Sequence, residues 1–329
     1  MQRWRGLEQI PGGWGRCVVT IGVFDGVHRG HQQLIAHAVA QARRREMPCV
    51  LMTFDPHPSE VVRPGSHPAQ LTTLRRRAEL AEQLGVDVFC VLPFTRETSR
   101  MPPEGFVHEV LVERLHAAEV VVGENFTFGH KAAGNIDLLG KLGERFGFEV
   151  ASDSLVSGPV RRADDPADGS SVTFSSTYIR ACIDAGDVVA AASALGRDHR
   201  LEGIVVRGAG RGGSELGFPT ANLSTPEYAA IPADGVYACW FTHRTRGSTT
   251  TAPALPAAVS VGSNPTFSGT ERTVEAYVLD VDADFYGEHV DLDFVARLRG
   301  MEKFDSAEEL VERMNVDVAE TRRILGIRE

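Results

Sequence analysis

The stretch Val19-Thr20-Ile21-Gly22-Val23-Phe24-Asp25-Gly26-Val27-His28-Arg29-Gly30-His31 decides the fold of the first half of the chain. An apolar run ends in glycine, and a helical pattern opens at Gly30. On a first helical turn His28 and His31 share one face. A helix start presents unpaired N–H groups and the positive end of the helix dipole, a setting that favours anions. Gly22, Gly26 and Gly30 let the backbone come close to such an anion. The pattern predicts a phosphate-gripping turn made by Gly22, Phe24, Asp25 and Gly30. In it His28 and His31 donate hydrogen bonds to phosphoryl oxygens as charge develops on them.

Outward from this stretch, strand and helix alternate. Strands are expected over Cys17–Phe24, Pro48–Phe54, Asp87–Leu92, Glu119–Val122 and Phe148–Ala151. Helices are expected over Gly30–Arg45, Thr72–Leu84, Pro102–His116 and Ile136–Phe146, the third with prolines at its start. Such alternation implies a parallel sheet covered on both faces, with ligands at the carboxyl ends of the strands. Ser157–Ser171 is polar and rich in Gly, Pro and Asp, a mobile segment by composition. Helical character returns over Ser176–Leu195. Short strand-like runs then follow at Leu201–Val206, Val236–Phe241, Pro256–Val261, Thr273–Leu279 and Val290–Leu298, the pattern of a barrel or sandwich. Ser306 with Glu309 reads as a capping box opening a last helix to Leu325.

The 329 residues suffice for two cores, and the formal net charge of -10 disfavours nucleic acid as a partner. Five scattered cysteines without a C-x-x-C pair read as reduced, mostly buried thiols of a cytoplasmic protein. The N-terminus lacks a signal-peptide pattern, and no apolar run is long enough to span a bilayer. Self-association is left open.

Further candidates lie in loops and helix starts. In Gly123-Glu124-Asn125-Phe126-Thr127-Phe128-Gly129, Asn125 suits a phosphate or a metal-bound water, and Phe126 or Phe128 a flat ring. The same segment also reads as a turn with two core phenylalanines. Ser175-Ser176-Thr177-Tyr178-Ile179-Arg180 holds more hydroxyls than one cap needs, so Ser176, Thr177 and Arg180 read either as a phosphate clamp or as a plain helix cap beside a solvated Arg. His57, in Asp55-Pro56-His57-Pro58, faces the same pocket or belongs to a rigid proline loop. Gly208, Gly210 and Gly213 form a literal G-x-G-x-x-G, but Gly217 and Pro219 forbid the helix that a dinucleotide site requires. A glycine flap over another nucleotide stays open. In Gly217-Phe218-Pro219-Thr220-Ala221-Asn222 an extended backbone turns Thr220 and Asn222 the same way, which reads either as an oxygen pair suited to Mg2+ or as a proline turn with two polar surface residues. Thr273–Asp280 alternates like a half-buried strand, which turns Glu275 either inward, as a general base, or toward solvent.

G-V-F-D-G-V-H-R-G-H, T-F-D-P-H-P, G-E-N-F-T-F-G and S-S-T-x-I-R resemble the FMN adenylyltransferase module of bacterial bifunctional FAD synthetases. P-T-A-N, the strand carrying Glu275, V-S-V-G-S-N-P-T-F and L-R-G-M-E-K-F are similar to the riboflavin kinase module of the same family. Ser214-Glu215 stand where many relatives carry Arg or Lys.

The resemblance implies a nucleotidyltransferase-like α/β domain at 1–186, a linker helix at 187–198, and a β-barrel kinase domain with a C-terminal helix at 199–329. It implies riboflavin, FMN, FAD and ATP as ligands, with Mg2+. His28, His31 and Glu275 would be catalytic. Asn125 and the phenylalanines would meet flavin in the first module. Gly210, Gly217, Thr220 and Asn222 would hold ATP, and Thr220 and Asn222 the metal. Arg299 would meet flavin in the second module. Two alternatives remain at this stage: an adenylyltransferase for another phosphate monoester, such as phosphopantetheine, and a non-catalytic flavin-binding protein.

Overall fold

Cys17, Val18, Val19, Thr20 and Ile21 are all shut off from solvent, as a strand covered on both faces requires. In the computed structural model, which describes residues 1–159, 171–207, 218–244, 252–266 and 269–327, this strand is central to a parallel sheet. The strands are β1 Gln2–Arg5, β2 Cys17–Ile21, β3 Cys49–Asp55, β4 Val88–Pro93, β5 Ala117–Gly123 and β6 Glu149–Asp153. They pair in the order β1-β4-β3-β2-β5-β6. From β2 the chain steps outward one way to β3 and β4, then returns beside β2 as β5. The crevice at the carboxyl ends of β2 and β5 is thus the switch point of the sheet, where open α/β sheets bind ligands.

Helices α1 Arg29–Arg44, α2 Pro58–Val62, α3 Leu74–Gln83, α4 Pro103–Phe106 and α5 Ile136–Phe146 complete this part, α4 continuing as a π-helical stretch over Val107–Arg114. Leu34, Ile35, Ala38 and Ala42 of α1 and Ala78 and Ala81 of α3 pack with Val18 and Leu51. Phe106, Leu111, Leu139 and Leu142 pack with Val19, Ile21 and Val120 on the other face. Strand β1 was not expected. Only Trp4 of its four residues is buried, too little pattern to mark a strand.

By packing, the chain divides into one unit of Met1–Pro68 with Thr72–Ser157 and another of Ala69–Leu71 with Gly158–Glu329. After β6 comes a two-stranded ladder, β7 Ser157–Pro159 and β8 Ser171–Thr173. Residues 160–170, which hold most of the segment expected to be mobile, lie outside the described residues. The helix expected over Ser176–Leu195 is two helices, α6 Ser176–Ala185 and α7 Val188–Leu195. Gly186 ends the first in the left-handed conformation (φ 76°), and Asp187 caps the second by accepting from the Ala190 N–H at 2.9 Å.

Six antiparallel strands then close a barrel: β9 His199–Val206, β10 Ala221–Ser224, β11 Gly235–Arg244, β12 Leu255–Thr266, β13 Gly269–Val278 and β14 His289–Arg299. The order around it is β10-β13-β12-β11-β14-β9. Phe241, Val259, Val261, Val274, Ala276, Leu292 and Phe294 fill the interior. Helix α8, Ala307–Leu325, covers β11, β12 and β14 from outside. The Ser306 hydroxyl accepts from the Glu309 N–H at 3.2 Å, as the capping pattern predicts. The Glu309 carboxylate reaches back one residue further than expected, to the Asp305 N–H at 3.1 Å.

Candidate active sites

His28 is the N-cap of α1. Its Nδ1 accepts from the His31 N–H at 3.4 Å, so the proton of a neutral His28 ring sits on Nε2. The two rings stack, with centroids 3.6 Å apart and planes inclined by 23°. The expected shared face is therefore a stacked pair at the positive end of a helix. Phe24 closes against His31 edge-on, its centroid 5.2 Å away. Burial, followed by the nearby His28 and Arg77, holds the His31 imidazole well below the usual histidine range. Its Nδ1 is buried with no hydrogen-bond partner.

The turn leading to this pair is strained. Phe24 (φ 53°) and Val27 (φ 40°) both adopt left-handed backbone, a conformation costing on the order of 1–3 kcal/mol at a non-glycine residue. Gly26 (φ 84°) suits it. At Gly22 the reason for glycine is space: a Cβ would lie 3.2 Å from the Phe24 ring. Gly30 is half-buried in the first turn of α1. The Phe24 ring is buried in the core beside α1. Asp25 is buried as well, accepting from the N–H and hydroxyl of Thr72 at 3.1 and 3.2 Å and lying 3.6 Å from the Arg77 guanidinium. The structure thus gives Asp25 a clamp's task within the protein. His57 caps α2, accepting from the Ser59 N–H at 3.1 Å.

Asn125 is exposed in the turn that leaves β5, the strand beside β2. Phe126 and Phe128 stack nearly parallel at 5.6 Å. Phe128 is buried in the core and Phe126 partly buried against it, so Phe126 alone has a ring face to spare for a ligand.

Ser176, Thr177 and Arg180 lie on α6, in the second packing unit. The Ser175 hydroxyl caps the helix by accepting from the Tyr178 N–H at 3.1 Å, so capping needs neither Ser176 nor Thr177. Arg180 Nε donates to the Ala69 carbonyl at 2.6 Å.

In the barrel, strand register assembles the second site. Asn222 of β10 and Glu275 of β13 are directly opposed partners, and Ser260 of β12 is the partner of Glu275 on its other side. Opposed residues share a face. The Thr220 hydroxyl donates to the Glu275 carboxylate at 3.4 Å. Thr220, Asn222 and Glu275 are therefore one cluster. The inward reading of Glu275 is corrected: Val274, Ala276 and Val278 fill the interior, and Glu275 stands on the outer, half-buried face. The alternation was legible, but which of its two faces the barrel encloses was not. Ser260 was missed as a site residue, because its place beside Glu275 follows only from the β12–β13 register. Gly210 and Gly217, with the rest of the glycine segment 208–217, lie outside the described residues.

Arg299, expected to meet flavin, is held by an acid of α8. Its Nε and Nη2 donate to the Asp317 carboxylate at 3.0 and 2.7 Å, tying β14 to α8. Among the described residues, no group of three or more His, Cys, Asp or Glu is gathered to hold a metal. The all-oxygen donors Thr220, Asn222 and Glu275 instead fit a hard cation that is held mainly through substrate phosphates and water.

A phosphate-ready histidine pair at a sheet switch point, followed by a barrel with an outer carboxylate–hydroxyl–amide cluster, defines a two-module transferase of phosphorylated ligands. Comparison with known proteins narrows the class. The FAD synthetase family model matches residues 11–159, and the riboflavin kinase model residues 195–325. The bifunctional riboflavin kinase/FMN adenylyltransferase of Escherichia coli K12 is 32% identical over 312 residues, covering 94% of this chain and 93% of that protein. The protein of the same name from Listeria monocytogenes is 35% identical over 307 residues, covering 93% and 91%. The chain belongs to the bifunctional riboflavin kinase/FMN adenylyltransferase family. A solved structure from Streptococcus pneumoniae, described as a macrolide-efflux protein, aligns over 98% of this chain and 99% of its own with a TM-score of 0.82 and 30% identity. Among the described residues of this chain, no helix is long and apolar enough to cross a membrane.

Proposed function

We propose that the barrel phosphorylates riboflavin and that the α/β module adenylylates the resulting FMN, with Glu275, His28 and His31 at the two reacting centres. The observation that carries the kinase half is the Thr220–Glu275 hydrogen bond, between residues 55 apart in sequence. It brings the P-T-A-N segment to the Glu275 carboxylate, which β13 turns outward beside β10.

In the kinase step Glu275 takes the proton of the terminal ribityl hydroxyl as its oxygen attacks the γ-phosphorus of ATP and ADP leaves. Thr220 donates to the carboxylate and orients it. Thr220 and Asn222 would hold Mg2+, which would supply charge neutralisation at the transferring phosphate. Gly210 and Gly217 are assigned to the ATP flap, and Ser260 to the acceptor side of Glu275.

In the adenylyl step a phosphate oxygen of FMN attacks the α-phosphorus of a second ATP, and pyrophosphate leaves. FMN phosphate is already an anion, so no general base is required. His28 and His31 donate to the oxygens that gain charge, with the N-terminus of α1 behind them. Gly22, Gly30 and the backbone at Phe24 and Asp25 shape the phosphate turn. Asn125 contacts phosphate, and Phe126, supported by Phe128, offers the flavin a ring face. Ser176, Thr177 and Arg180 make the start of α6 a second anion site, assigned to pyrophosphate.

The catalytic division is 1–186 for adenylylation, 187–198 as linker and 199–329 for the kinase. The division counts α6 with the first module, whereas by packing it falls in the second unit. The five cysteines are buried and form no disulfide, which suits a reducing cytoplasm. Incubation with riboflavin, ATP and Mg2+, followed by chromatography of the flavins, tests the reading. FMN followed by FAD is expected. Unchanged riboflavin, or flavin bound without turnover, would sink it.

A further inference from the structure

Three consecutive arginines, Arg75-Arg76-Arg77, lie in the first turn of α3. The structure separates them. Arg75 and Arg76 pair with Glu79, whereas Arg77 is only 4% exposed. Its Nη1 donates to the Val23 carbonyl at 3.0 Å, and its Nη2 donates to the Thr72 carbonyl at 3.0 Å and lies 3.6 Å from Asp25. The Thr72 hydroxyl in turn accepts from the Gly26 N–H at 2.9 Å. Val23, Asp25 and Gly26, all in the turn that precedes His28, are thus fastened to one point on α3 and the residue Thr72 just before it.

We propose that Arg77 is a positioning residue for FMN adenylylation, holding the Val23–Val27 turn in its phosphate-ready shape and setting a fixed positive charge behind the His28–His31 pair. The inference rests on the reading of that pair given above. The turn carries left-handed backbone at Phe24 and Val27 and keeps it only while its surroundings over-determine it. A buried guanidinium with a fixed fork of donors can do this, and a lysine cannot reproduce the fork. The groups that act on the charge of His31 are His28 on its own helix and Arg77 from α3. Asp25, the acid nearest to Arg77 in this network, is engaged by Thr72 and Arg77. Arg77 and the N-terminus of α1 both favour an anion beside the histidine pair, with the Asp25 carboxylate offsetting part of the Arg77 charge.

The full chain carrying R77M or R77K is assayed for both reactions, and His31 protonation is followed by NMR of labelled histidine. For R77M, kcat for FMN adenylylation falls by roughly 10²-fold, the loss typical of a misplaced reacting group. Riboflavin phosphorylation stays within about twofold, since Val23, Asp25, Gly26, Thr72 and Arg77 all belong to the first packing unit. The His31 ring protonates at a higher pH than in the wild type, because a neighbouring positive charge is gone. R77K keeps the His31 titration of the wild type but restores the rate only in part. Wild-type adenylylation by R77M overturns the proposal, and so does an unmoved His31 titration. Should R77M fail to fold, R77K decides alone, and unchanged kcat there overturns it. If the wild-type chain itself makes no FAD, the reading of the histidine pair has failed instead.

Discussion

The Thr220 hydroxyl and the Glu275 carboxylate meet at 3.4 Å, across the join between β10 and β13. A carboxylate held on one side by a hydroxyl, with an amide opposite it in the ladder, has a fixed direction. That suits a base that must meet one particular hydroxyl of its substrate.

Glu275→Gln keeps the shape and removes the base. FMN formation from riboflavin falls by roughly 10²–10⁴-fold, the usual contribution of general base catalysis. Conversion of supplied FMN to FAD continues at the wild-type rate. Separate assays with riboflavin and with FMN check this, and loss of both activities in a folded protein refutes the division of labour.

His31→Ala removes one donor from the stacked pair. Adenylylation of FMN slows by roughly 10²–10³-fold, as for loss of one transition-state donor. Riboflavin kinase activity persists. Release of pyrophosphate from ATP in the presence of FMN measures the first, and FMN production from riboflavin the second.

The depressed His31 pKa has a consequence for stability. In the unfolded chain this histidine takes up a proton below about pH 6.5, while in the folded chain it stays neutral to a much lower pH. The unfolded state then binds more protons, so stability is complete above the ordinary histidine range and declines as pH falls toward the folded pKa. Thermal unfolding at about pH 7.5 and about pH 5.5 is expected to show a smaller acid loss for His31→Gln than for the wild type. Equal losses contradict it.

Arg299 and Asp317 form a nearly buried pair with side-chain exposures of 10% and 5%. Asp317→Ala leaves the guanidinium without its main counter-charge and should destabilise the second unit by about 3–5 kcal/mol, the usual effect of breaking a buried pair from one side. Urea unfolding followed through the barrel tryptophan Trp240 measures it. A change below about 1 kcal/mol, typical of an exposed pair, returns Arg299 to the candidates for flavin contact.

Much was legible because it is local. The H-x-G-H turn, the strand–helix alternation around it and the Ser306 cap depend on residues a few positions apart. Sequence patterns report such spacing directly, as buried β2 and the stacked His28–His31 pair show. Gly186 divided α6 from α7 because a left-handed glycine ends a helix whatever the propensity of the alanines after it. The short strands β1 and β10, of four residues each, exist through their partners rather than their own pattern.

What the chain could announce alone was its chemistry: which side chains stand at helix starts and turns, and that its second half is built of short strands. Which side each strand shows to the interior was left to tertiary closure. A period of two is satisfied equally by either face until register selects one, so Glu275 could be turned outward and set against Thr220 only by the completed barrel. The burial of Arg77 beside Asp25 was decided in the same way, since a run of three arginines carries no sign of which one the sheet will cover.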